Sequence, residues 1–118
     1  NVTGVQTCAL PIWPGHCVEC HSPRNLLGGI VKSQRFAGGP APDGEGSVPN
    51  ITQHGIGSYS HEQLVTLLKT GDMPSGDNVG GEMGKVVGNT AQLSDADRAA
   101  MATYLKWLPP VEGPKKQQ

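Results

Sequence analysis

The sequence predicts an all-α domain in which short helices are joined by unusually long loops. Three observations predict it. Two segments carry the start signal, apolar period and stop signal of a helix. No segment alternates apolar and polar residues as a half-buried strand does. The stretches between are crowded with Gly, Pro, Ser and Asn.

The elements follow in chain order. Gly15 to His21 leads into or lies on a short helix. Ser22 to Gly57 shows no sustained period and reads as loop with short turns. A loop of that length is uncommon in a compact domain unless it serves a function. Ser60-His61-Glu62-Gln63 has capping-box spacing, with Ser60 as N-cap and Gln63 reaching back. Leu64, Val65, Leu67 and Leu68 then form an apolar stripe, and Gly71 stops the helix. Asp72 to Asn89 reads as loop again. Ser94 caps a further helix with Asp95 and Asp97 in its first turn, where the helix dipole favours negative charge. Met101, Tyr104, Leu105 and Leu108 fall at i, i+3, i+4 and i+7 on one face, and Pro109-Pro110 ends the run.

A chain of 118 residues is one domain's worth. Its aromatic content is one Phe, two Tyr and two Trp, against 17 Gly and 10 Pro. A core made from these side chains alone is thin, so a bound group that completes it is expected. The net charge of −1 implies no basic face for nucleic acid. No run approaches the roughly 18 apolar residues of a membrane span. Val2 to Ile12 reads as the translation of a sequencing adapter. Residues 1–12 are therefore expected to be non-native and to pack against nothing, and Cys8 leaves the cysteine count. The domain is expected over residues 13–112, with a polar tail at 113–118.

The chemistry is concentrated in Cys17-Val18-Glu19-Cys20-His21. Cys-x-x-Cys-His is the attachment signature of haem c. The two thiols add across the two vinyl groups of the porphyrin, and the adjacent His projects at the iron. A structural zinc site instead requires four ligands, and only two native cysteines stand beside the scattered His16, His21, His54 and His61. A thioredoxin-like pair requires a preceding strand and an α/β pattern. A zinc or plain disulfide module stays as an alternative. The other nitrogen of His21 is expected to donate to a backbone carbonyl, because such bonds fix a ligand's orientation.

A carrier of electrons needs a sixth ligand, and Met ligation raises the potential. Met101 belongs to the apolar stripe of the last helix. Met73 precedes Pro74, and Met83 lies in Gly80-Gly81-Glu82-Met83-Gly84, where glycines allow close backbone approach to a flat ring.

From Gly15 to about Gly113 the chain resembles the mono- and dihaem cytochrome c family, in the stretches GHCVECHSPRN, RFAGG, PNIT, GIGSYS, LLKTGDMPSGD, GGEMGKVV and LSDADRAAMATYLKWLP. The resemblance implies a small cytochrome c fold wrapped round one covalently bound haem. It implies that Cys17 and Cys20 carry the thioethers, that His21 is the proximal ligand and that Met83 is the distal one. Asn50 and Thr52 fall in the PNIT stretch, and Tyr59 stands where relatives often have Trp. In the family this region runs beside the haem, so these residues and Arg24 are candidates to meet the propionates; ordinary loop capping and a solvated charge are the rival readings. His16, His54 and His61 read as surface or loop residues. The helix that precedes the motif in the family has no counterpart here, as expected of truncation at residue 13.

The function implied is a bacterial periplasmic electron carrier that is not itself an enzyme. A dehydrogenase would be the donor, and a cytochrome or terminal oxidase the acceptor. Membrane association is expected only through a missing N-terminal part. The alternative haem function is an enzyme or small-ligand sensor with an open sixth position.

Overall fold

The structure, a computed structural model, describes residues 16–41, 44 and 46–114. The expectations for residues 1–12 and for the tail beyond Pro114 fall outside this range. The chain divides into two compact units. One comprises His16–Ser58 together with the segment from Leu108 onward, and the other contains Tyr59–Trp107.

The first unit is mostly loop, as the sequence predicts. Helix α1 is the single turn Cys17–Cys20, followed by a 3₁₀ turn at Lys32–Gln34. Strands β1 (Gly39–Pro40) and β2 (Ser47–Val48) pair antiparallel, and α2 spans Gln53–Ile56. The strands are two residues long, so alternation along them has no room to show. Phe36, Ala37, Ile56 and Leu108 are buried, with His21, Ser22 and Thr52 among them.

Polar side chains take over part of the work of this small core. Thr52 caps α2. Asn50 Oδ1 accepts from the Thr52 backbone N–H at 2.8 Å and from its hydroxyl at 2.6 Å. Asn50 Nδ2 donates to the Val111 carbonyl at 2.7 Å, and the Val111 N–H donates to Thr52 Oγ1 at 3.1 Å. The knot ties the C-terminal segment to the loop. It leaves no room beside it: a Cβ on Gly55 would lie 1.7 Å from the Asn50 carbonyl oxygen.

The second unit consists of α3 (His61–Thr70), α4 (Gly81–Thr90) and α5 (Asp95–Trp107), with α3 packed on both of the others. The capping box forms as the spacing predicts: Ser60 Oγ accepts from the Gln63 N–H, and the Ser60 N–H donates to Gln63 Oε1. Gly71 ends α3 at φ 83°, a left-handed turn that a glycine adopts without a Cβ clash. Leu64 and Leu68 face inward. On α5, Met101 and Leu105 are buried as expected, while Tyr104 is half-buried with its ring centroid 5.9 Å from that of Trp107.

Helix α4 corrects the expectation of loop from Asp72 to Asn89. Three of its ten residues are Gly, and Gly80 is its N-cap, so local propensity argues against it. Tertiary packing decides the matter. Val87 and Thr90 are buried, and the Thr90 hydroxyl donates to the Leu68 carbonyl of α3. Arg98 of α5 clamps the far end. It is 3% exposed, and its Nη1 donates to the carbonyls of Thr90 and Ala91 at 3.0 Å each and to that of Leu93. Its Nη2 meets the Asp95 carboxylate.

Candidate haem-binding site

The site is built on the one-turn helix α1. The residue before it, His16, has φ 50°, a left-handed conformation uncommon for a non-glycine residue. The turn closes through the Glu19 N–H to the His16 carbonyl at 3.0 Å and the His21 N–H to the Cys17 carbonyl at 2.8 Å. Positions i, i+3 and i+4 of a helical turn share one side. Cys17, Cys20 and His21 therefore present two thiols and one imidazole on the same side. Both thiols are free; Cys17 is half-buried and Cys20 exposed.

His21 is 8% exposed and firmly held. A carbonyl can only accept, so the contact of 2.8 Å between His21 Nδ1 and the Pro49 carbonyl oxygen places the proton on Nδ1. That fixes the tautomer and leaves the Nε2 lone pair for a metal, the second-sphere bond that the sequence analysis expects. The His21 carbonyl accepts from the Gly38 N–H at 2.7 Å, and Ser22 Oγ accepts from the Phe36 N–H at 3.0 Å. Gly38, at φ 78°, is jammed against the other side of the frame: a Cβ there would lie 2.5 Å from the Val48 carbonyl oxygen. Segments 36–38 and 48–50 thus grip the residue that follows the cysteine pair. Burial pushes the His21 imidazole below its ordinary value, which favours the neutral, ligating form. Burial also pushes the Cys17 thiol up. Among the described residues, no group of three or more His, Cys, Asp or Glu side chains converges as a metal cage. The donor set suits a haem: the imidazole would ligate the iron, and the two thiols would join the porphyrin through its vinyl groups.

The other predicted residues are placed as follows. Met83 lies in the first turn of α4 and is half-buried. Met73 is half-buried in a tight turn, its N–H bonded to the Asp77 carbonyl at 2.8 Å. Met101 is core, 2% exposed. Asn50 and Thr52 bond to each other and to Val111. Tyr59 is half-buried, and its carbonyl accepts from Lys106 Nζ at 2.7 Å. Arg24 is exposed and donates to the carbonyls of Glu19 at 2.8 Å and Gly28 at 3.1 Å. His16, His54 and His61 are exposed. Sequence reasoning missed Pro49 and Gly38, which act through backbone atoms; Gly38 in the RFAGG stretch was the available signal.

The cytochrome c family matches residues 12–109, and the chain belongs to that family. It is 49% identical over 98 residues to a diheme cytochrome c-type protein of Cereibacter sphaeroides, covering 83% of this chain and 33% of that protein. It is 42% identical over 98 residues to the fructose dehydrogenase cytochrome subunit of Gluconobacter japonicus, covering 80% and 20%. It is 37% identical over 107 residues to the cytochrome c subunit of the quinone alcohol dehydrogenase of Gluconobacter oxydans, covering 83% and 22%. The chain thus spans a third or less of the length of these relatives. Membership of the family implies a covalently bound haem c.

Proposed function

We propose that the chain is a periplasmic electron carrier that holds one haem c. It would take electrons from a dehydrogenase and pass them to a downstream cytochrome or oxidase. The observation that carries the reading is the His21 Nδ1–Pro49 bond of 2.8 Å beside two free thiols one helical turn apart. When bound, the haem supplies an iron that changes between ferrous and ferric states with little movement of its ligands. Cys17 and Cys20 hold the ring, and His21 presents a neutral nitrogen whose direction Pro49 fixes. Met83 would supply the iron's second protein ligand in this reading. Asn50, Thr52, Tyr59 and Arg24 are the groups that would meet the propionates in this reading. The donor side rests on the relatives, two of which are named as cytochrome subunits of dehydrogenases.

The test is to express the chain with a haem-attachment system and measure mass and spectrum under denaturing conditions. One haem's added mass and a c-type α band are expected, both absent from the double variant Cys17→Ala/Cys20→Ala. Haem that extracts from the parent chain into acid acetone would refute the proposal.

A further inference from the structure

Helix α4 is anchored at one end. Its buried residues, Val87 and Thr90, lie in its second half. There the Thr90 hydroxyl donates to the Leu68 carbonyl, and Arg98 Nη1 draws together the carbonyls of Thr90, Ala91 and Leu93. The first two are acceptors that a helix end leaves without an intrahelical donor. A cation at this end also suits the helix dipole. The other end has little of its own. Gly80 is the N-cap and has no side chain to bond the first N–H groups. Gly81 and Gly84 favour loop over helix. Glu82 and Lys85 pair with each other at 2.8 Å, and both are exposed. Met83 stands in this first turn, about 10 Å along the helix from Thr90.

We propose that Arg98 is a positioning residue for Met83: by fixing the far end of α4 it sets where the first turn stands. This rests on the reading in which Met83 would supply the iron's second protein ligand. A short helix transmits a displacement as a rigid element, so a shift at the anchored end appears at the other. Arginine suits the task, because its planar guanidinium is always charged and holds its donors in fixed directions. The Asp95 carboxylate meets Nη2 and orients that fork from within the first turn of α5. Once the hold is removed, the glycines let the first turn open, and Met83 leaves its place more often.

The test uses the haem-loaded ferric chain and imidazole, a small ligand that competes with a methionine sulfur for the iron. Imidazole affinity is titrated at fixed pH, beside the far-red band and the urea midpoint. Arg98→Leu should weaken the band and bind imidazole about tenfold more tightly, because the competent state is populated more often. Arg98→Lys should recover part of the difference. Thr90→Val, which loosens the same end, should act in the same direction. Ser60→Ala/Gln63→Ala removes the capping box of α3 and is the control: it should lower the urea midpoint and leave imidazole affinity unchanged. Arg98→Leu with the affinity of the parent overturns the proposal. So does equal tightening in the control, which would make Arg98 a stabilising residue only. Should Arg98→Leu fail to fold, Arg98→Lys and Thr90→Val decide the matter on the same criteria. A parent chain whose far-red band survives Met83→Ala refutes the ligand reading instead.

Discussion

His21 and Pro49 are 28 residues apart in sequence and 2.8 Å apart in space, imidazole nitrogen to carbonyl oxygen. The bond sets which ring nitrogen carries the proton. Burial of the same imidazole lowers its affinity for a further proton. The folded state therefore binds fewer protons at this site than the unfolded chain, whose histidine titrates at its ordinary value of 6.5. Stability from this group is fully present above pH 6.5 and is lost as pH falls through the lowered folded value. Urea midpoints of the haem-free chain should fall between pH 7.5 and 5, and His21→Gln should remove part of that slope. An equal slope in both would show that His21 is not the titrating group.

The choice between two methionines is testable by spectrum. Met83→Ala in the haem-loaded chain should abolish the weak far-red band of Met-ligated ferric haem and lower the potential. Haem should stay attached, because attachment depends on Cys17 and Cys20. Met73→Ala should leave the band in place. The opposite pattern would make Met73 the ligand.

Thr52 is 1% exposed and its hydroxyl serves both Asn50 and Val111. Thr52→Val keeps the shape and removes the hydroxyl, leaving the Val111 N–H without this acceptor. We expect a loss of about 1–3 kcal/mol in chemical denaturation, with Thr52→Ser recovering most of it.

Arg98→Leu should destabilise by about 2–4 kcal/mol, since the carbonyls of Thr90, Ala91 and Leu93 lose a shared charged donor. Arg98→Lys, with its single ammonium, should fall between. Hydrogen exchange should locate the change at the C-terminal turn of α4.

What the sequence reveals divides along sequence distance. Ser60, Gln63 and Gly71 are legible because a capping box and a left-handed stop are contracts between near neighbours. Cys17, Cys20 and His21 are legible because haem attachment fixes their spacing. Helix α4 is not, because Gly81, Gly84 and Gly88 argue for loop while the burial of Val87 and Thr90 is settled by α3. Asn50 and Thr52 draw notice for their residue types, yet their partner Val111 lies 59 to 61 positions away and nothing local announces it. Arg98 reads as a surface charge, the default for its type, and only the carbonyls converging on it show otherwise.

The seam between Asn50, Thr52 and Val111 also orders events in time. The unit that carries the attachment turn is discontinuous, since it needs the segment after Leu108 to finish. His21 and Val111 stand ninety residues apart, so the seam closes over a long stretch of chain. Contacts this far apart in the chain also close slowly. The cysteine turn needs only near neighbours while its enclosure needs Val111, so a chain in which the seam is still open would give an attachment enzyme the freest access to both thiols.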